Sequence, residues 1–193
     1  MIKNLFNSVI VLLALSIFGN AHAGVIFDPT NTGSSVNATK GLEICWDCSI
    51  TTTLKDLDAQ TAMLNVGDTV MFDFFDIKVG GKIGGSLFDI VATLAFTSPG
   101  GAASDSGNGG FGTIAGILSG GFLSWNGPVS VALENGTEYT VALEEGIALG
   151  LGDTATVGAS VTLDRVGQVP EPGTLALLGL GLAGLGAARR RRA

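Results

Sequence analysis

Histidine is nearly absent from this sequence, which contains a single one, His22, close to the amino terminus. Ser-His-Asp and Cys-His catalytic sets need an imidazole, and so do histidine-based metal sites. Everything after His22 therefore lacks the residues for these chemistries. We predict no catalytic residue and no metal ligand, and we expect no cofactor.

Charged residues are also scarce, at 14% of the chain, whereas glycine is abundant, with 30 of 193 residues. Glycine destabilises helix interiors by about 1 kcal/mol relative to alanine, so this composition favours strands and turns over helices. The charges are unevenly placed, since five basic residues face sixteen acidic ones between Gly24 and Gln168, a formal charge of −11. Such a body repels phosphate backbones, and nucleic acid is not an expected partner.

Residues 1–23 carry the three parts of a secretory signal peptide. A positive amino terminus precedes an apolar run from Leu5 to Phe18, and Ala21 and Ala23 are the small residues of a cleavage site. The apolar run is too short to span a membrane comfortably, which favours cleavage over an uncleaved anchor helix. Cleavage by signal peptidase would leave a mature chain that begins at Gly24 and contains no histidine.

The only two cysteines, Cys45 and Cys48, have the spacing C-x-x-C. A structural disulfide fits an exported chain with an even number of cysteines. A redox-active pair is the alternative, but such pairs typically open a helix in an α/β domain, and no helical pattern follows here. A zinc site would need two further ligands, which the mature chain does not supply from cysteine or histidine. We expect a bridge that tightens a local turn and removes comparatively little chain entropy.

From Ser49 onward, apolar residues recur with the period of two that is typical of strands. Ser86 to Thr97 is the clearest strand, and its two largely apolar faces predict a central position in a sheet. Within Asp68 to Val79 the apolar phase changes at Phe74-Phe75, which predicts a β-bulge or a strand that changes sheet. Asn135-Gly136 lies between two alternating runs and predicts a hairpin with a type I′ turn.

About eight strands and no convincing helix are predicted between residues 24 and 168. This pattern is typical of an all-β domain, and we predict an antiparallel β-sandwich of jelly-roll or Ig-like type. Two stretches rich in glycine and small polar residues are expected to be irregular: Gly24–Gly41 as a lead-in and Ser98–Gly112 as a flexible loop. The predicted organisation is a signal peptide at 1–23, a β-domain at 24–168 and a carboxy-terminal segment at 169–193.

The carboxy-terminal segment has three parts in a fixed order. Pro170, Glu171 and Pro172 form an extended, accessible peptide, because proline restricts φ and removes N–H donors. The uncharged run Thr174–Ala188 predicts a short transmembrane helix of about 22 Å, against a hydrocarbon core of about 30 Å. The arginines that end the chain would remain cytoplasmic by the positive-inside rule: Arg189, Arg190, Arg191 and Arg192. A plain single-pass anchor is the alternative interpretation.

These three parts, in this order, resemble the PEP-CTERM sorting signal of exported bacterial proteins. The resemblance covers roughly the last 25 residues. It implies that exosortase, a membrane enzyme, recognises Pro170, Glu171 and Pro172 and processes the tail. It also implies export across the inner membrane into a Gram-negative cell envelope, followed by surface display or release. Proteins of this kind are commonly linked to exopolysaccharide or biofilm matrix.

Three functions are compatible with the body, and a non-enzymatic surface or matrix protein is preferred. A carbohydrate-binding module would use exposed aromatic side chains, for which the candidates are Trp46, Trp125 and Tyr139. Each of these is expected instead to pack in the core or beside the disulfide, because aromatic residues dominate cores. A polysaccharide-acting enzyme would use carboxylates such as Asp73 and Asp76, which lie among phenylalanines, although acidic residues are too numerous to be evidence by themselves.

Overall fold

The fold comes from a computed structural model of the chain, in which the described residues are 24–80, 83–114, 117–146, 154–167, 179 and 181–182. The predicted signal peptide, with Ala21 and Ala23, lies outside the described residues. The same is true of the sorting motif Pro170-Glu171-Pro172 and of the arginines 189–192. Within the described ranges, no helix is long and apolar enough to cross a membrane.

The described residues form ten strands in two five-stranded antiparallel sheets, which confirms the all-β class. The first sheet has the order β3-β1-β5-β6-β7 and the second the order β2-β4-β10-β9-β8. The bounds are β1 Val25–Trp46, β2 Ser49–Leu54, β3 Ala62–Leu64, β4 Thr69–Gly80, β5 Ile83–Ser98, β6 Ala102–Ile114, β7 Ile117–Trp125, β8 Val129–Ala132, β9 Glu138–Leu143 and β10 Thr154–Arg165.

The inner faces of the two sheets share one hydrophobic core. Aromatic rings join the sheets across it: Phe27 of β1 lies 5.2 Å from Tyr139 of β9, and Phe75 of β4 lies 6.4 Å from Trp125 of β7. Each fully buried side chain of this size contributes about 1.5–3 kcal/mol to folding. The alternating apolar residues of the sequence therefore serve mainly to hold the two sheets together.

Two strand predictions are confirmed in detail. β5 is the central strand of the first sheet, although only one of its faces is buried. The predicted bulge lies in β4, where Phe75 pairs with Val157 and Asp73 pairs with Gly158. Phe74 thus has no partner in the β10 ladder, and the extra residue keeps both phenylalanines fully buried.

Two irregular segments were predicted wrongly. Most of Gly24–Gly41 belongs to β1, and most of Ser98–Gly112 belongs to β6. β6 is rich in glycine and serine, which have low strand propensity, but it forms ladders with β5 on one side and β7 on the other. Hydrogen bonding along both edges outweighs intrinsic propensity, which is weak and dependent on context in sheets.

The hairpin between β8 and β9 is confirmed, but its predicted turn type is wrong. A type I′ turn needs positive φ at both central residues, whereas of Asn135 and Gly136 only Gly136 has it, at 83°. The Gly136 amide donates to the Leu133 carbonyl at 2.9 Å, and the Thr137 amide donates to Asn135 Oδ1 at 2.9 Å. The asparagine side chain caps a longer loop instead of occupying the left-handed region itself.

The predicted disulfide between Cys45 and Cys48 is present, with Cα atoms 5.8 Å apart. It closes the turn at which the chain leaves β1 in the first sheet and enters β2 in the second. Asp47, inside the bridge, has a φ of 61°, the left-handed region that a tight turn requires. The bridge therefore fixes the crossing between the sheets, as a local staple.

Candidate functional site

The three aromatic candidates occupy different environments. Trp125 is 7% exposed and Tyr139 is 0% exposed, so both pack in the core as expected. Trp46 is 79% exposed and lies beside the disulfide, inside its turn, which is the other of the two expected positions. Of the three, only Trp46 presents its ring to solvent.

The two buried aromatics also make structural hydrogen bonds with their polar atoms. Trp125 Nε1 donates to the Glu144 carbonyl at 3.0 Å, and the Tyr139 hydroxyl donates to the Gly100 carbonyl at 2.9 Å. Burial raises the pKa of Tyr139 to about 12, because the charged phenolate would be poorly solvated there. These contacts leave neither residue available to a ligand.

The two carboxylate candidates, Asp73 and Asp76, lie on β4 in different surroundings. Asp76 accepts hydrogen bonds from Lys55 Nζ at 3.2 Å and from Thr156 Oγ1 at 2.7 Å, so it belongs to a surface ion pair. Asp73 is exposed, on the far side of the bulge at Phe74. Across the described part of the chain, no group of three or more His, Cys, Asp or Glu side chains is placed to hold a metal ion.

The outer face of the second sheet is polar, but its side chains largely pair with one another. Thr69 and Thr162 hydroxyls lie 2.8 Å apart, and Thr140 donates to Asp164 Oδ2 at 2.7 Å. Arg165 and Glu138 form an ion pair at 2.6 Å. These polar side chains of β4, β9 and β10 are thus paired with one another across the sheet.

The outer face of the first sheet is built differently, from side chains that the strand registers align in rows across β1, β5, β6 and β7. An apolar row consists of Leu87, Gly110 and Phe122. The adjacent polar row consists of Thr39, Asp89, Asn108 and Ser124. Beside the apolar row lies a glycine row, which consists of Ile44, Gly85, Gly112 and Gly120. Beside the polar row lies a mixed row, which consists of Asn37, Val91 and Ser106 and is extended by Asn126.

The apolar row is a shallow trough with a glycine floor. Leu87 and Phe122 are each 48% exposed. A Cβ added at Gly110 would lie 2.7 Å from Leu87 Cδ2 and 2.8 Å from Phe122 Cε1, so both side chains lean over this glycine. They border a depression of about 370 Å³. Only a glycine lets the leucine and the phenylalanine approach each other across β6.

The polar row has hydrogen-bonding groups that the described residues leave unused. No described residue bonds to the side chains of Thr39, Asp89, Asn108 or Ser124, all of which lie outside the core. Neighbouring strands are about 4.8 Å apart, so four aligned residues form a row about 14 Å long. Asp89 and Asn108 also line a second depression, of about 390 Å³.

This face was missed from the sequence. The exposed residues of β5 alternate as Leu87, Asp89 and Val91, and they were interpreted only as a second apolar face of a central strand. Asn108 lies in the predicted loop Ser98–Gly112, so its pairing with Asp89 could not be predicted. The available signal was the alternation of Ser104, Ser106 and Asn108, which has the period of a strand.

Comparison with known proteins identifies the end of the chain. The model of the PEP-CTERM protein-sorting motif matches residues 168–192. No curated protein and no solved structure matches the chain. The match confirms the resemblance noted from the sequence, and the motif indicates an exported protein of a Gram-negative cell envelope that exosortase processes.

Proposed function

We propose, from the PEP-CTERM sorting motif that this chain carries at residues 168–192, that it is a non-enzymatic surface or matrix protein. In this proposal, signal peptidase removes residues 1–23, and the short transmembrane helix of the tail holds the protein in the inner membrane. Exosortase then recognises Pro170, Glu171 and Pro172, and the body is displayed on the cell surface or released into the extracellular matrix. The body is a β-sandwich whose role there is to bind and to scaffold.

The position of the two ends of the body supports this proposal. Val25, next to the first residue of the body, pairs with Leu64 of β3, the edge strand of the first sheet. Gly67 donates to the Leu163 carbonyl, and Gly167 donates to Thr137 Oγ1, so the last described residues of the body lie at the same end. We call this end the basal end. Strand β10 thus delivers the chain directly to the sorting motif from the basal end.

The distribution of side chains favours a non-enzymatic role. Of the two carboxylates that sequence reasoning singled out, Asp76 is in an ion pair and Asp73 is exposed on a sheet surface. Catalytic carboxylates generally lie in an enclosed site. Neither residue lies in such an environment.

The sorting half of the proposal is tested by replacing Pro170, Glu171 and Pro172 together with alanine. We expect the wild-type protein on the cell surface or in the medium, and the variant retained in the inner membrane, because exosortase would no longer recognise it. Cell fractionation with immunoblotting gives the distribution.

A matched control replaces Val169, Gly173 and Thr174, which flank the motif, with alanine. This variant carries the same number of substitutions and should fractionate as the wild type does. Identical fractionation of the wild type and the motif variant would contradict the proposal.

A further inference from the structure

We infer that the outer face of the first sheet binds a neutral polysaccharide chain. The ligand would lie across the strands, with its hydroxyl groups on the polar row and the apolar C–H face of a sugar ring against Leu87 and Phe122. This inference rests on the proposed matrix role, for which it supplies the partner.

The chemistry of the two rows matches that of a sugar polymer. A pyranose ring carries hydroxyl groups around its edge and C–H groups on its faces, so it needs amphipathic partners. Asn108 offers both donors and an acceptor, and the Asp89 carboxylate accepts hydroxyl donors through strong charge-assisted bonds. Phe122, half-exposed beside Gly110, offers an aromatic ring for contact with the C–H groups of a sugar.

The charge of the face and of the body disfavours an anionic polymer. Asp89 is the single charged side chain in the four rows, although the body as a whole has a formal charge of −11. An anionic polymer would be repelled both by this carboxylate and by the surrounding body. A neutral chain meets no such repulsion, and it can use the carboxylate as an acceptor.

On the second sheet part of the outer polar surface is paired, although Thr51, Asp73 and Lys78 there have no side-chain partner among the described residues. The paired groups are Thr69, Thr140, Thr156 and Thr162, the aspartates Asp76 and Asp164, and the ion pair between Arg165 and Glu138. A ligand would have to break these bonds to bind there. On the first sheet the polar row is free, so binding replaces only water.

The apolar row lies far from the basal end. Leu87 lies eleven residues along β5 from Ser98, which pairs with Asp28 near the basal end. At about 3.3 Å per residue this distance is about 35 Å. A body attached at the basal end would therefore hold the apolar row at a distance from the attachment point.

The inference is tested by affinity electrophoresis of the exported protein, purified from cells in detergent. Native gels contain dextran, laminarin, hydroxyethylcellulose or galactomannan as neutral probes, and alginate as the anionic probe. We expect retardation by at least one neutral probe and none by alginate. Absence of retardation by every neutral probe, or stronger retardation by alginate, would overturn the inference.

Variants locate the site. Asp89→Asn, Asn108→Ala and Phe122→Ala should each weaken retardation on the order of tenfold in Kd, the loss expected for one good contact. Asp73→Asn and Met71→Ala, on the outer face of the second sheet, are the matched controls and should bind as the wild type does. Asp73→Asn makes the same charge change as Asp89→Asn, and Met71 is also exposed, at 57%.

Binding that survives all three face variants, or that the controls weaken equally, would also overturn the inference. A cooperative urea-unfolding transition shows whether each variant is folded. If Phe122→Ala does not fold, Asn108→Ala still tests the site. The motif variant of the preceding section separates the two proposals. A protein that is sorted but binds no neutral probe refutes only the polysaccharide site, and one that binds but is not sorted by the motif refutes only the proposed function.

Discussion

Replacing Tyr139 with phenylalanine removes only the hydroxyl group, and so tests one hydrogen bond that joins the two sheets. The Tyr139 hydroxyl, on β9 of the second sheet, donates to the Gly100 carbonyl in the connection between two strands of the first. Its ring meets those of Phe27 and Phe96 edge to face, at 5.2 and 5.4 Å. Loss of the hydroxyl should lower the free energy of unfolding by about 1 kcal/mol at neutral pH.

The same residue makes the stability of the protein depend on alkaline pH. The phenol pKa is about 10 in an unfolded chain, and burial raises the pKa of Tyr139 to about 12 in the folded protein. Because the pKa is higher in the folded state, the contribution is complete below about pH 10 and is lost as the pH rises toward about 12. The loss is about 1.4 kcal/mol per pH unit in that window, so near pH 11 the wild type should have lost its advantage over Tyr139→Phe.

Two measurements check this expectation. Urea unfolding of both proteins between about pH 8 and pH 11 gives the difference in unfolding free energy, from which the common contribution of the lysines cancels. Tyrosinate absorbance reports ionisation of Tyr139 alone, because the chain has one tyrosine. Ionisation with a midpoint near pH 10 in a protein with native circular dichroism, or a pH-independent difference between the two proteins, would refute the account of the core.

Two further changes test the crossing between the sheets. Gly84→Ala should cost more than about 2 kcal/mol of unfolding free energy, because φ is +119° there and a Cβ would collide with the Ile44 carbonyl and lie 2.7 Å from Cys45 Cα. Gly67→Ala is the control, because φ is also positive at Gly67 but nothing lies within 4 Å of the added Cβ. This variant should lose about 1 kcal/mol of unfolding free energy. Equal losses for the two variants in urea unfolding would contradict the close approach at Gly84. Replacing Cys45 and Cys48 together with serine should cost about 2 kcal/mol, the entropy of a very short loop. Thiol titration should find no free thiol in the unreduced wild type, and two reactive thiols would show that the bridge is absent.

Local features of the fold could be predicted from the sequence because they depend on local patterns. The phase change at Phe74-Phe75 predicts the bulge in β4, since a strand can bury two successive side chains only by inserting a residue. The hairpin around Asn135-Gly136 follows from turn chemistry in the same way. The turn type does not follow from the sequence, because it depends on how the loop bonds the Thr137 amide. In the structure this amide donates to the Asn135 side chain.

The candidate site could not be predicted because it depends on pairing between distant residues. Thr39, Asp89, Asn108 and Ser124 lie on four strands, and only the registers of β1, β5, β6 and β7 bring them into one row. β6 supplies Asn108 and the glycine floor, and its composition is that of a loop. Its strand structure arises from the ladders on both sides, which composition alone does not reveal.

The most direct test of the central claim is the intact mass of the protein recovered from the cell surface or the medium. We expect a chain that begins at Gly24 and lacks the arginines 189–192, and we expect that this processed form is missing when Pro170, Glu171 and Pro172 are replaced with alanine. A mass that includes the whole segment 169–193, or an identical mass in the wild type and the motif variant, would contradict sorting through the carboxy-terminal motif.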